Sequence, residues 1–182
     1  KACIDEGLLY ESLPYHNCIF VGFDETGNAA YAFYRATTGE RLMGEAAGSD
    51  KRYSFRIDRA GSTLHVFESA IDLLSYATIM KMRTGEWRAE PMLSLGGVYA
   101  PSNNKQSKLP IALEKMTQNQ TQINTIALHL DNDFAGRSAT RSISEQLGNK
   151  YIVRDEPPAY GKDCNDYLQQ LQRQKRKRQM ER

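Results

Sequence analysis

The chain has 182 residues, of which 40% are hydrophobic and 25% are charged, and its mean hydropathy is −0.61. This length suits one ordinary domain or one domain with a small appended unit, and the composition is typical of a globular protein. No run approaches the roughly 18 apolar residues of a membrane-spanning helix, so we expect no membrane span.

The start of the chain and its cysteines indicate where the protein works. The first residues contain neither an apolar signal core nor an initiator methionine. The sequence therefore offers no support for secretion and leaves open that the chain is part of a longer polypeptide. Cys3, Cys18 and Cys164 are odd in number and far apart, so they imply neither a disulfide framework nor a four-ligand zinc site. We expect a reducing, cytoplasmic setting.

The net charge of +2 is unevenly distributed along the chain. Residues 173–182 hold six basic residues and one acidic residue, a local charge of +5, which leaves −3 for the remainder. Such a stretch is compatible with nucleic-acid binding and equally with a solvated helix end. We expect residues 169–182 to form a basic C-terminal helix or tail.

The first third of the sequence is predicted to form a small β-rich subdomain over residues 1–61. Segments 17–23 and 30–35 are rich in β-branched and aromatic side chains, and they flank the turn-forming segment 24–28. This pattern is typical of a β-hairpin. A further short strand is predicted over residues 53–57, before a Gly-Ser step that marks the boundary.

From residue 62 onward, short strands alternate with segments of helical periodicity. We predict strands over residues 63–67, 92–95, 125–130 and 151–153, with helices after the first three and a loop over 101–110. Such βαβ alternation implies a parallel sheet with helices on its faces and right-handed crossovers. The sequence thus predicts an α/β fold with a sheet of about four strands, preceded by the β-rich subdomain. If the first and third strands are neighbours, with the second outside the first and the fourth outside the third, the strand order is 2-1-3-4.

Three acidic residues stand at the ends of predicted strands. Glu68 follows the first strand directly, and Asp131 and Asp133 follow the third. Open α/β sheets bind ligands at the carboxyl ends of their strands, where the strand order reverses, so these acids are expected to meet there. Three carboxylates repel one another unless a cation lies among them, which favours Mg²⁺ or Mn²⁺. The alternative is that each acid caps the helix that follows it.

Four segments, in this order, resemble the Toprim domain shared by bacterial primases, topoisomerases and certain nucleases. They are residues 66–72 (VFESAID), 93–97 (LSLGG), 130–139 (LDNDFAGRSA) and 161–168 (GKDCNDYL). The resemblance assigns residues 62–168 to a Toprim domain. The whole arrangement is similar to primase-like Toprim proteins of plasmids and conjugative elements, in which a small domain of unknown function precedes Toprim. The zinc-binding module of many primases is missing from this chain.

The resemblance implies roles for individual residues. Glu68 would be the general acid/base or a second metal ligand, while Asp131 and Asp133 would hold Mg²⁺ or Mn²⁺. Asp163 would complete the metal environment. Five basic side chains are candidates for contacts with phosphate, against the alternative of a solvated surface: Lys162, Arg137, Arg141, Lys51 and Arg52.

Two histidines precede the acidic motifs within apolar strands. His65 lies in the first strand of the alternating region and His129 in the third. Histidines in such positions invite a catalytic interpretation, but histidines on sheets are most often structural. We expect a structural role for both.

The function implied by the resemblance is Mg²⁺-dependent phosphoryl or nucleotidyl transfer on nucleic acid, by a primase-like Toprim protein of a mobile element. Two alternatives stay open. One is a Toprim nuclease, and the other is a non-catalytic nucleic-acid-binding module of a larger mobilisation or replication protein. The implied partners are DNA or RNA, nucleotides, and other domains of a longer polypeptide or a helicase or relaxase.

Overall fold

The fold is taken from a computed structural model that describes residues 1–38, 42–98 and 108–181. Within this part of the chain, a four-stranded antiparallel sheet comes first, and a five-stranded mixed sheet flanked by helices follows. The prediction of an α/β fold preceded by a β-rich unit is confirmed. Most of the predicted loop over 101–110 lies outside the described residues.

The N-terminal part forms a sheet with the strand order β1-β2-β3-β4. Its elements are α1 (Ala2–Asp5), β1 (Leu9–Glu11), β2 (Cys18–Phe23), β3 (Ala29–Arg35) and β4 (Met43–Glu45). The predicted hairpin is β2 and β3, and its turn is stabilised by Asp24. The Asp24 carboxylate accepts backbone hydrogen bonds from Thr26 and Asn28, both at 2.9 Å.

The second sheet has the strand order β5-β7-β6-β8-β9, so the predicted order of the parallel strands is confirmed. The predicted strand over 53–57 is shorter in the structure. Residues Lys51–Tyr53 form a 3-10 turn capped by Asp50, and only Arg56–Ile57 are extended, as an antiparallel partner of β7. The elements are β5 (Arg56–Ile57), β6 (Thr63–Phe67), α2 (Ala70–Thr84), β7 (Met92–Ser94), α3 (Ile111–Asn119), β8 (Thr125–His129), α4 (Phe134–Leu147), β9 (Ile152–Asp155) and α5 (Cys164–Met180).

Both faces of the second sheet are covered. Alternation along β6 sends Leu64 and Val66 to one face and Phe67 to the other, and all three are fully buried. The first two pack in a core with residues of β8, α3 and α4. Phe67 packs in a second core beneath α2 and the start of α5. Burial on both faces explains why these strands are almost continuously apolar.

The second core also joins the two sheets. Phe20 of β2 lies edge-on against Phe55, with ring centroids 5.4 Å apart, and both belong to the core that contains Phe67 and Leu73 of the second sheet and its helix. The predicted domain boundary at residue 61 stays a prediction, because β5 lies before it and yet pairs within the second sheet.

The C-terminal segment is helical as far as Met180. Side chains from residue 172 to the end of the described chain are exposed, so the basic residues of α5 face water. None of the described helices combines the length and the apolar character required to cross a bilayer.

The close approach of β2 to the 3-10 turn provides a test of the packing between the sheets. A methyl group added at Gly22 would lie 1.7 Å from the Tyr53 carbonyl oxygen, so Gly22→Ala must displace backbone. We expect urea denaturation to show a loss of at least about 3 kcal/mol in the free energy of unfolding. Gly27→Ala is the comparison, because that site has positive φ but nothing within 4 Å. Its expected loss is about 1–2 kcal/mol, and equal losses would contradict the predicted clash.

Candidate active site

Parallel pairing of β6 and β8 brings the predicted acids to one edge of the sheet. Phe67 pairs with His129, so Glu68 and the residues after His129 leave the sheet side by side. Glu68, Asp131 and Asp163 line one cavity of about 310 Å³, together with Lys162. The structure therefore brings these four predicted residues together.

Asp131 and Asp133 share a cation supplied by the chain itself. The ammonium group of Lys162 lies 3.2 Å from Oδ2 of Asp131 and 3.1 Å from Oδ2 of Asp133. The loop that carries Lys162 is fastened to the loop that carries the aspartates, because Asn132 N–H donates to the Lys162 carbonyl oxygen at 2.7 Å. Lys162 is thus a built-in counter-ion for the Asp-x-Asp motif.

Among the three acids at strand ends, the alternative of helix capping holds for Asp133 alone, and Asp163, in the later loop, is a helix cap as well. Asp133 caps α4 by accepting a hydrogen bond from Gly136 N–H at 2.9 Å, and Asp163 caps α5 by accepting from Asp166 N–H at 2.7 Å. For Glu68 the capping interpretation is wrong, because Ser69 caps α2. The carboxylate of Glu68 therefore does not serve as the cap of α2.

Glu68 is half-buried and incompletely bonded. Among the described residues, no donor reaches its buried Oε2 atom. Burial raises the pKa of Glu68 to about 7, and repulsion from Asp131 and Asp133 adds to the rise. A buried carboxylate oxygen without a partner is costly, so this position suits a group that a proton or a cation can neutralise.

The two aspartates differ in their electrostatic environment. Burial raises the pKa of Asp131 even though Lys162 opposes the shift, and Asp163 and Asp133 add to it. The pKa of Asp133 is lowered by its bond from Gly136 N–H and by Lys162. The hydrogen bonds with Asp133 and Asp131 raise the pKa of Lys162 in turn. At neutral pH, Asp133 is the better stabilised carboxylate.

The donor set fits a hard divalent cation. Every candidate ligand is a carboxylate oxygen, which Mg²⁺ and Mn²⁺ prefer, and Glu68 lines the same cavity as Asp131 and Asp163. However, over 1–38, 42–98 and 108–181, no three of these acids have ligand atoms all within 4.8 Å of one another. Three of these carboxylates would therefore have to move closer together to hold one ion, and Lys162 lies at Oδ2 of both Asp131 and Asp133.

Sequence reasoning missed one acid beside the cavity, Asp72. Its side chain is 6% exposed, and burial raises its pKa to about 6. It accepts hydrogen bonds from the Ser69 hydroxyl and, at 3.3 Å, from Asn165 N–H. Asp72 therefore ties the start of α2 to the start of α5. The signal in the sequence is Ser69 three residues before Asp72, a variant of the capping box.

Two of the predicted phosphate-binding residues lie on α4. The Arg137 guanidinium donates to the carbonyl oxygens of Asp131 and Leu130, at 3.1 and 2.7 Å, and to the Asp155 carboxylate at 2.7 Å. These bonds give Arg137 a positioning role at the strand end. Arg141 is exposed. Contacts of either residue with nucleic acid stay a prediction.

The other two basic candidates lie in the 3-10 turn. Lys51 donates to the Gly96 carbonyl oxygen at 2.8 Å, and its ammonium lies 3.4 Å from Glu45. Arg52 forms an ion pair with Asp50. Lys51 thereby joins the N-terminal unit to the turn after β7, and the predicted phosphate contacts of both residues stay predictions.

Comparison with known families identifies the architecture. Residues 65–168, more than half of the chain, match a family described as Toprim-like. The chain belongs to the Toprim-like family. Residues 1–60 match a second family, described only as a protein of unknown function (DUF3991). No curated protein gives a significant sequence match to this Toprim-like chain.

Several solved structures similar to the Toprim-like chain are primase domains or fragments. The primase fragment of the bacteriophage T7 primase-helicase matches with a TM-score of 0.60 and 17% identity, over 94% of this chain and 68% of that one. A DNA primase domain from Pseudomonas aeruginosa matches with 0.52 and 16%, over 93% and 54%. The DnaG primase catalytic domain bound to ssDNA matches with 0.52 and 15%, over 99% and 57%. This chain spans little more than half of the latter two, and the likeness establishes the fold.

The pKa of Asp131 is raised and that of Asp133 is lowered, so replacing each with asparagine should affect the stability of the metal-free protein in opposite ways. Asp131→Asn removes a charge that burial disfavours, so the free energy of unfolding at pH 7 should stay the same or rise. Asp133→Asn removes a favoured charge but keeps a good helix cap, so it should cost at most about 1 kcal/mol. Urea denaturation in the presence of a chelator measures both, and a clear loss in Asp131→Asn with none in Asp133→Asn would contradict this assignment.

Proposed function

We propose that the chain catalyses Mg²⁺- or Mn²⁺-dependent phosphoryl transfer on nucleic acid, in its nucleotidyl-transfer form, as a primase-like Toprim protein of a mobile element. The observation that carries the proposal is the cavity lined together by Glu68, Asp131, Asp163 and Lys162, where one buried oxygen of Glu68 has no hydrogen-bond partner among the described residues. Phosphoryl transfer needs charge stabilisation at phosphate oxygens and proton transfer at the attacking oxygen, and this set of side chains supplies both.

Each residue is assigned a part in that chemistry. Asp131 and Asp133, with Asp163 beside them, would hold a divalent ion, which would neutralise charge on the phosphate. Lys162 would turn from the two aspartates to the phosphate once the ion takes its place. Glu68 would exchange a proton with the attacking or leaving oxygen, since burial keeps its pKa close to neutral in the metal-free protein.

The N-terminal sheet supplies the opposite wall of the cavity. Tyr31, Phe33 and Arg35 of β3 line it, and the Tyr31 hydroxyl is fixed by a bond to Glu45 at 3.0 Å. Aromatic rings and a guanidinium group are surfaces on which nucleic-acid bases stack. We infer that the N-terminal unit holds a base while the acidic edge holds its phosphate. The acidic edge is the sheet edge that carries Glu68, Asp131, Asp133 and Asp163.

The comparisons support a nucleic-acid substrate, whereas the proposed mobile-element setting rests on the resemblance described from the sequence. One structural neighbour is a primase catalytic domain bound to ssDNA. The order of a unit of unknown function followed by a Toprim-like domain corresponds to the arrangement in primase-like Toprim proteins of plasmids and conjugative elements. The partners we propose are DNA or RNA, nucleotides, and a helicase or relaxase or other domains of a longer polypeptide.

A nuclease is the second candidate function, because the acidic edge alone, without the aromatic wall, would suffice for metal-dependent cleavage. The third is a module that binds nucleic acid without catalysis, in which Lys162 would permanently neutralise Asp131 and Asp133. These candidates predict different products from one mixture.

One assay separates the three functions. Labelled single-stranded DNA is incubated with the chain, Mg²⁺ or Mn²⁺, and all ribonucleotides and deoxynucleotides. Extension of the label supports nucleotidyl transfer, shortening supports the nuclease, and binding without either product supports the module.

A variant at Glu68 tests whether the cavity is the source of any product. Glu68→Gln keeps the shape of the side chain but cannot exchange a proton, so the rate should fall by about 10²–10⁴-fold. Glu145→Gln is the matched control, since Glu145 is exposed on α4 and far along the helix from its N-terminal acids. Equal rates for wild type and Glu68→Gln would place the chemistry elsewhere.

The basic helix end predicts a salt-sensitive component of nucleic-acid affinity. Truncation after Gln172 should flatten the dependence of log K on log salt, by about 0.7 for each lost contact with single-stranded phosphate. A full-length variant with four glutamines at 175–178 preserves a good helix former at each position and should behave like the truncation. Fluorescence anisotropy at several salt concentrations measures the slope, and an unchanged slope would assign these residues to solubility alone.

A further inference from the structure

A second group of metal-ligating side chains lies on the sheet face beneath α2. It consists of His65 on β6, His129 on β8 and Glu156 directly after β9. One ligand atom from each lies within 4.8 Å of the other two. The Nδ1 atom of His65 is 2.8 Å from Nε2 of His129, and that Nε2 atom is 3.8 Å from a carboxylate oxygen of Glu156.

The orientation of the His129 ring is fixed by a backbone carbonyl group. Nδ1 of His129 lies 2.8 Å from the carbonyl oxygen of Glu156, which can only accept, so Nδ1 carries the proton. The lone pair of His129 is then on Nε2, directed at His65 and the Glu156 carboxylate. Histidine ligands of metal ions are commonly oriented by such a bond from the other ring nitrogen.

Aromatic packing and sheet pairing hold the group rigidly. Tyr76 of α2 lies 4.4 Å from the His129 ring and 5.1 Å from the His65 ring, between centroids, and Phe67 stacks on His129 at 4.9 Å. The three strands that carry the ligands are adjacent and parallel. The two imidazole rings therefore have little side-chain freedom left to lose when an ion binds.

The protonation states also suit a ligand set. Burial lowers the pKa of His65 to about 4 and that of His129 to about 3. Both imidazoles are therefore neutral at pH 7, the form in which they bind metal. The carboxylate of Glu156 is partly exposed and open to solvent, so an ion has a route of entry.

We propose that His65, His129 and Glu156 form a Zn²⁺ site, separate from the acidic edge and independent of the phosphoryl-transfer proposal. Two imidazoles and one carboxylate are ligands that Zn²⁺ accepts readily, whereas Mg²⁺ prefers oxygen alone. In the described parts of the chain, this is the one group of three whose ligand atoms are so close. On binding, His65 would present Nδ1 to the ion and carry its proton on Nε2.

The site has a structural consequence for the acidic edge. Glu156 begins the segment that leads from β9 to Lys162 and Asp163, and its N–H already bonds to the Leu128 carbonyl oxygen at 2.9 Å. An ion bound here would fasten that segment to the centre of the sheet. His129 is 5% exposed, so the site is built for stability more than for contact with a substrate.

Zinc binding by the full chain tests the proposal directly. Protein stripped with EDTA and dialysed is titrated with ZnCl₂ by calorimetry, and metal retained after dialysis is counted. We expect one Zn²⁺ per chain and a rise in Tm. Glu156→Gln and His65→Gln should weaken binding by at least the ~10–100-fold that changes around metal ligands commonly cause. Co²⁺ in place of Zn²⁺ should give a spectrum without thiolate charge transfer.

Control variants test whether other metal-ligating side chains of the chain account for the zinc binding. His16→Ala removes the third histidine, which pairs with Glu11 at the surface, and Asp131→Asn alters the acidic edge. Both should bind Zn²⁺ as wild type does. Glu156 is 41% exposed, so Glu156→Gln should fold, and its Tm without zinc verifies this. Absence of zinc binding by wild type, or equal affinity in wild type, Glu156→Gln and His65→Gln, would overturn the proposal and leave a hydrogen-bonded histidine pair.

Discussion

Negative charges gathered at one edge of a buried sheet are the constraint on which the rest of this structure depends. The parallel pairing of β6 and β8 forces Glu68 and Asp131 into the same cavity, where burial raises the pKa of each. The chain compensates with the Lys162 ammonium and with backbone N–H groups at the starts of α4 and α5. Lys162 and the Val98 N–H also lower the pKa of Glu68, but burial and the two aspartates outweigh them, and the remaining imbalance makes this edge a suitable place for a cation.

The strands and the positions of the acids at their ends could be predicted because they depend on alternation, which is a local property of the sequence. The strand order is the one that the resemblance to Toprim domains implies. The sequence predicts a strand over 53–57, but the bounds of β5 and its place beside β7 could not be predicted. Two extended residues carry no periodic signal, and Ile57 pairs with Met92, 35 residues away. The contacts of Lys162 with both aspartates depend on loop geometry. No sequence pattern marks Glu156 as a candidate site residue, because Glu156 comes close to His129 only when β9 pairs with β8.

One strand links the two candidate sites. His129 is the last residue of β8 and lies under α2, while Asp131, two residues later, faces the cavity beneath the N-terminal sheet. The Arg137 guanidinium holds the intervening carbonyl groups in place. A shift of β8 along its axis would therefore move His129 and Asp131 together. Both candidate sites thus depend on the rigidity of this strand end.

The pairing of β5 with β7 affects whether the N-terminal unit and the Toprim-like part can be exchanged separately in evolution. The family matches divide the sequence between residues 60 and 65, but the hydrogen-bonded sheet extends across that division. A Toprim-like part separated there would expose the outer edge of β7, a template for pairing with foreign strands. A recombination event that replaced the N-terminal unit would have to supply another strand to pair with β7. This requirement favours keeping the two parts together in one gene.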